Sequence, residues 1–250
     1  MQQIGITFDF HNTLFTCDEW FHLEVHDLVP VFLRWLTDQG GVSLPVQAET
    51  NGRRFYAELR VAIKEHGHEQ NAASCIASVL DRLEVQVPES TIVEGVHAIM
   101  GAVAAAQPMQ GVVETIRELA AQEIPLGIVS SAVYAPFLER SLVAHGTADA
   151  FAHVTTSASA GFYKTRPELF WHAAEAMNLS PANMLHVGDS LAFDVGGAQR
   201  AGFRGVWLSY GRGREAGGPE PDAILTDLTD SAPFLLRMVR DESPSVAAAI

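Results

Sequence analysis

Lysine is almost absent from this chain. Only Lys64 and Lys164 occur in 250 residues, and 16 basic residues face 30 acidic ones, for a formal net charge of −14. A field of that sign repels nucleic acid and anionic membrane, so neither is an expected partner. It repels a phosphate ester as well, so an anionic substrate needs a local cationic site, and a Lys in a chemically suggestive place stands out. Cysteine is limited to Cys17 and Cys75. They lack a metal-type spacing and read as free thiols in a reducing cytosol. No run of about 18 apolar residues occurs, which excludes an expected membrane helix. No basic segment followed by an apolar core opens the chain, so no signal peptide is expected and the default location is cytoplasmic. What is present is 48% hydrophobic and 18% charged residues, the composition of a globular protein with a well-filled core. The length suits one large domain, or a domain with a smaller one inserted.

Ile4 to Phe8 is an apolar run that reads as a first strand, with Asp9 at its carboxyl end. The pattern then turns helical. Thr16 and Glu19 stand three apart as a capping box, and Phe21, Val25, Leu28, Phe32 and Leu36 recur at helical spacing. Pro30 kinks that helix or starts another, and Gly40-Gly41 ends it. Further helices are expected at about 46–66, 70–84 and 89–106, with no strand between Phe15 and Gln107. Residues 16–106 thus read as a helical insert. Beyond Pro108, strands alternate with helices. The strands are Leu126 to Val129, Val154 to Thr156, Met184 to Val187, Gly205 to Leu208 and Ala223 to Leu225. The helices are Val112 to Ala120, Val133 to Ala144, Pro167 to Met177 and Ala192 to Ala201. That alternation predicts an α/β fold with a parallel sheet covered on both faces, built from residues 1–15 and 107–240. Such sheets bind ligands beyond the carboxyl ends of their strands, where Asp9, Ser130 and Asp189 all fall. Gly211 to Gly218 reads as a mobile surface loop and 241–250 as a frayed tail.

Four segments carry a resemblance: Asp9-Phe10-His11-Asn12-Thr13-Leu14; Gly127-Ile128-Val129-Ser130-Ser131; Lys164 within Gly161 to Pro167; and His186-Val187-Gly188-Asp189-Ser190-Leu191-Ala192-Phe193-Asp194. In this order, each at the end of an element, they resemble the motifs of the haloacid dehalogenase superfamily over nearly the whole chain. The resemblance implies a Rossmann-like core with an inserted all-helical cap, and a hydrolase of the phosphatase branch acting on a small phosphorylated metabolite. It implies Asp9 as the nucleophile, Ser130 and Lys164 as phosphate contacts, and Mg²⁺ as cofactor. The metal positions carried over are Asp9, the His11 main chain, Asp189 and, at one remove, Asp194.

The chemistry is consistent with those residue types. A carboxylate can attack phosphorus and form an aspartyl-phosphate, splitting a hard hydrolysis into two easier steps. Phosphoryl transfer needs mainly positioning and charge neutralisation. Two like charges about 4 Å apart cost about 4 kcal/mol at an effective dielectric of 20, and a hard divalent cation relieves such a cluster.

His11 departs from the pattern. Phosphatases of the superfamily carry Asp there as general acid and base, a role worth about 10²–10⁴-fold. Imidazole can serve, since its ordinary pKa is about 6.5, and His11 is the candidate acid/base. A steric role, or loss of turnover, stays open. Two other readings stand beside the phosphatase. One is a metal-independent carbon-directed hydrolase, against which the retained Gly188-Asp189 and Asp194 argue. The other is a non-catalytic binding protein on the same fold. Lys64, alone in the insert, reads as an exposed helix Lys rather than a Schiff base. His22 and His26, four apart, lack a third ligand.

Overall fold

The computed structural model describes residues 3–39, 42–214 and 217–240. In chain order it runs β1 (Gly5–Phe8), β2 (Phe15–Thr16), α1 (Asp18–His22), α2 (Leu28–Gln39), α3 (Ala48–His66), α4 (Ala72–Arg82), α5 (Glu89–Ala102), β3 (Gln107–Pro108), α6 (Val112–Ala121), β4 (Leu126–Ser130), α7 (Ala135–Ala144), β5 (Phe151–Thr156), α8 (Ser157–Ala160), α9 (Pro167–Ala176), β6 (Met184–Gly188), α10 (Gly196–Arg200), β7 (Arg204–Leu208), β8 (Ala223–Leu225) and α11 (Ala232–Val239). Six strands form one sheet in the order β5-β4-β1-β6-β7-β8, and every neighbouring pair is parallel. The α/β class expected from the alternation is therefore observed. Every residue of β1, β4 and β6 is buried, which is why these strands read as continuous apolar runs rather than alternating ones. The chain moves from β1 to β4 and β5 on one side and to β6 and beyond on the other. The carboxyl end of β1 is thus the point where strand order reverses, and there a crevice opens.

Helices α1 to α5 lie between β2 and β3, which pair antiparallel with Phe15 opposite Pro108 and Thr16 opposite Gln107. The helical segment leaves and rejoins the sheet region through this one ribbon. Leu28, Phe32, Leu33, Tyr56 and Ile76 are fully buried among these helices. A second seam joins them to the sheet side: Glu69 N–H donates to the Gly161 carbonyl, Tyr163 N–H to Gly67, and Ala72 N–H to Val133. Gly67, at φ +74°, ends α3 in the left-handed region. A Cβ there would stand 2.2 Å from Arg166 Cγ, so the close approach of the two segments requires glycine.

Several expectations are corrected. The Thr16–Glu19 capping box does not form. Thr16 is held in β2 by its pairing with Gln107, its hydroxyl points to Asn12 Oδ1 at 3.5 Å, and Cys17 occupies the cap position without a side-chain bond. Phe15–Thr16 is itself a short strand where none was expected, because a two-residue pairing has no periodicity to read. The helix over 192–201 begins as a wide π-turn at Leu191–Val195, and a second π-turn, Leu23–Asp27, separates α1 from α2. The helices α8 and α11 were not anticipated. Gly40-Gly41 and the tail 241–250 lie outside the described residues.

Candidate functional site

Asp9 sits one residue beyond β1, 6% exposed. Lys164 reaches it from the loop before α9, 3% exposed. Its Nζ donates to Asp9 Oδ1 and, at 2.6 Å, to Asp194 Oδ1. Asp194 is delivered by the π-turn after β6 and also accepts from Ser190 N–H at 2.8 Å. Gly188 permits this approach, since a Cβ there would lie 2.3 Å from Asp194 Cγ. Asp189 follows β6, and its N–H donates to Thr13 Oγ1 at 3.1 Å. Asp9, Asp189 and Asp194 each offer an oxygen within 4.8 Å of the others. Positions some 180 residues apart in sequence thus meet at one strand end.

The electrostatics follow from burial. Burial raises the Asp9 carboxyl, against the pull of Lys164, with Asp194 adding to the rise. Burial acts to raise Asp194 too, but Lys164 and then His186 outweigh it and hold that carboxyl well below the usual range. Burial pushes Asp189 up to about 7, reinforced by Asp9 and Asp194 and opposed by Arg212. Burial would lower the Lys164 ammonium, but Asp194 and Asp9 reverse this and keep it charged. Two of these carboxylates share the Lys164 ammonium and the third meets the Arg212 guanidinium, so negative charge remains in surplus. Hard oxygen donors with a surplus of negative charge fit a divalent cation of the Mg²⁺ kind.

His11 and Ser130 both line the cavity that opens over Asp9, whose volume is about 210 Å³. The His11 ring stacks on Phe21 at 4.9 Å between centroids. Burial lowers its pKa, against Asp9 and a hydrogen bond to the Cys17 carbonyl, and leaves the ring neutral. Its Nε2 is buried without a hydrogen-bond partner among the described residues. Ser130 is 4% exposed. His22 and His26 are exposed, with ring centroids 5.8 Å apart, and they are not part of the carboxylate group. Lys64 is exposed as expected, yet it lines the cavity.

Sequence reasoning missed four contributors. His186, fully buried in β6, donates or accepts with Thr7 Oγ1 at 3.0 Å and faces Asp194 Oδ1 at 3.4 Å. Arg212 falls in the loop expected to be mobile, but its Nη2 donates to the Asp189 carbonyl at 2.8 Å and to Asp189 Oδ2 at 3.2 Å. Residues 215–216 of that loop lie outside the described residues. From the helical side, Glu24 and Arg60 both line the cavity and are buried. Arg60 grips Glu69 with both ends of its fork, at 2.6 and 3.1 Å, and Glu69 also accepts from Ser157 Oγ at 2.9 Å. A histidine inside the continuous apolar run of β6 and a charged residue on an amphipathic helix carry no sequence signal of this placement.

Comparison with known proteins agrees with this geometry. A family model described as haloacid dehalogenase-like hydrolase matches residues 5–202. The chain is 28% identical over 206 residues to a glyceraldehyde 3-phosphate phosphatase of Pyrococcus furiosus, covering 81% of each. It is 31% identical over 170 residues to the glyceraldehyde 3-phosphate phosphatase of Pyrococcus abyssi, covering 68% of each. Among solved structures, the 2-haloacid dehalogenase from Pseudomonas syringae shares the fold at a TM-score of 0.70 and 21% identity, over 95% of this chain and 100% of that one.

Proposed function

This chain belongs to the haloacid dehalogenase-like hydrolase family, and from that premise we propose that it hydrolyses a small phosphate monoester through a phosphorylated Asp9. The observation that carries the reading is the buried Asp9 carboxylate. It is held by Lys164 and lies within 4.8 Å of the oxygens of Asp189 and Asp194. The relatives named as glyceraldehyde 3-phosphate phosphatases support a phosphorus-directed reaction. A divalent-metal site has no use in carbon–halogen displacement, and the carboxylate trio fits such a site.

In this mechanism Lys164 favours the ionised form of Asp9 against its burial, orients it and neutralises a phosphate oxygen, while Ser130 Oγ donates to another. Asp9 attacks phosphorus as the bond to the leaving oxygen breaks, and the departing oxygen takes a proton from solvent, which the His11 imidazolium formed in the second step returns. The neutral His11 ring accepts a proton from the water that then attacks the aspartyl-phosphate, returning the free carboxylate and inorganic phosphate. Asp9, the His11 carbonyl, Asp189 and Asp194 are the groups that would hold Mg²⁺, which when bound neutralises carboxylate and phosphate charge. His186, neutral because burial lowers its pKa, positions Asp194, and Arg212 positions Asp189. The helical segment acts as a cap whose residues select the leaving group. The test is Asp9→Asn, assayed for phosphate release from p-nitrophenyl phosphate with Mg²⁺ and with EDTA. Loss of turnover in the variant and on chelation is expected, and full activity in Asp9→Asn overturns the mechanism.

A further inference from the structure

We propose that Glu24 is a specificity-determining residue that selects phosphate monoesters whose leaving group carries a protonated amine. The inference rests on the phosphatase reading and names the substrate class of that same cavity. Glu24 lies in the π-turn Leu23–Asp27, a wide turn of the kind that recurs at functional sites. The second such turn in the chain delivers Asp194 to the same cavity. Glu24 Oε1 accepts the Val133 N–H at 2.5 Å. Val133 is three residues past Ser130, so the carboxylate stands beside the turn that follows the phosphate-side serine.

The carboxylate is 6% exposed and has no ion-pair partner among the described residues. Its other hydrogen bond comes from the Trp20 indole. Both partners are neutral donors. Arg60, the nearest cation to act on it, is already engaged by Glu69 through two hydrogen bonds. A buried charge without a counterion is costly, and a ligand that brings the cation removes that cost. The surrounding walls suit an ammonium. Trp20, Phe21 and Tyr163 line the cavity beside Glu24, and aromatic faces attract cations. The cavity of about 210 Å³ lies below the ~300–1,000 Å³ of drug-sized ligand sites and suits a small ester. A second carboxylate on the leaving group would meet Glu24 as a like charge. Lys64, at the exposed rim, lines the cavity with no ion pair among the described residues, and the test must separate its pull from that of Glu24.

Three phosphonates that cannot be hydrolysed at phosphorus make that separation: 2-aminoethylphosphonate, ethylphosphonate and phosphonoacetate. They are titrated into the full chain with Mg²⁺ by calorimetry. Wild type is expected to bind the amine at least about tenfold tighter than ethylphosphonate, the order of a desolvated charge pair, and phosphonoacetate weakest. In E24Q, which can still accept the Val133 N–H, the amine advantage is expected to fall below about threefold. Equal binding of the amine and ethyl ligands by wild type, preference for phosphonoacetate, or an advantage retained in E24Q overturns the proposal. If E24Q does not fold, Glu24→Asp, which withdraws the carboxylate by one carbon, serves in its place with the same expected direction. Turnover of p-nitrophenyl phosphate by the same preparation reports on the phosphatase reading separately. Turnover without amine preference sinks only the Glu24 assignment. Amine preference without any turnover sinks only the phosphatase reading.

Discussion

Replacing Glu24 by Gln changes how stability depends on pH, and the size of the change follows from where the carboxylate lies. Burial pushes Glu24 from its ordinary 4.5 up to about 7. The Val133 N–H and Arg60 oppose the rise and Glu69 adds to it. Between these two values the unfolded chain has released the proton and the folded chain still holds it. The folded state is therefore favoured at low pH, and this contribution is fully present below 4.5 and lost as pH rises through 7. At 1.36 kcal/mol per pH unit the loss is about 3 kcal/mol. Gln carries no proton to release. The stability of E24Q minus that of wild type should rise by about 3 kcal/mol from pH 4.5 to pH 8, whatever constant offset the amide introduces. Urea unfolding at several pH values, without metal or ligand, measures it. Asp9 and Asp189 titrate in both proteins and largely cancel in the difference. Two curves that stay parallel across this range would refute the claim that Glu24 is buried without a counterion, and with it the basis for an amine-binding role.

Two further outcomes are expected. Arg60→Leu leaves Glu69, whose side chain is fully buried, without its counterion. Breaking one partner of a buried pair costs about 3–5 kcal/mol, so a drop of that size in urea unfolding is expected, and a change near zero would mean that Ser157 and Gln70 suffice to hold Glu69. His11→Asp supplies the leaving group with a proton donor. Ethyl phosphate turnover should rise in the variant by up to about 10²-fold while p-nitrophenyl phosphate turnover changes little, because the aryl leaving group needs little acid help. Equal wild-type rates on the two esters would sink that reasoning.

The legible part of this protein is what repeats or clusters along the chain. Fully buried parallel strands are largely apolar, so Leu126 to Val129 and Met184 to Val187 announce themselves, and Ser130 and Asp189 are found by standing just past those runs. Lys164 is legible because lysine is so rare here. The residues that resisted reading depend on tertiary placement. Glu24 looks like one polar position on an amphipathic helix, and nothing in its neighbours reveals a π-turn or an N–H donor at Val133, 109 positions away. Arg60 and Glu69 are separated by the end of α3 and the tight turn at Gly67, and only the fold makes them a pair. The Thr16–Glu19 pattern misled for a related reason: the ribbon with Gln107 sets the Thr16 backbone before its hydroxyl can cap anything. His186 was quoted within a motif, yet its side chain acts sideways on Asp194 from inside the sheet, a direction that strand periodicity does not report.

His11 and Glu24 bear on the same step from opposite ends. A residue that stays neutral, as burial makes His11, accepts a proton from water well but has none to give a departing alkoxide. The site must then act on esters whose leaving oxygen needs less protonation. An ammonium a few bonds from that oxygen meets the need, since positive charge close to a developing negative one in a water-poor cavity stabilises it strongly. Glu24 holds such an ammonium in place through ordinary ion pairing, at the edge of the turn that follows Ser130. The histidine at position 11 and the carboxylate at position 24, without an ion-pair partner among the described residues, thus become one arrangement, in which the substrate brings the charge that the first motif does not supply. The link has a consequence for the variants: once His11→Asp restores a proton donor, the kcat advantage of O-phosphoethanolamine over ethyl phosphate should shrink while its tighter binding through Glu24 remains. Were both advantages to persist unchanged in His11→Asp, the two residues would be acting independently.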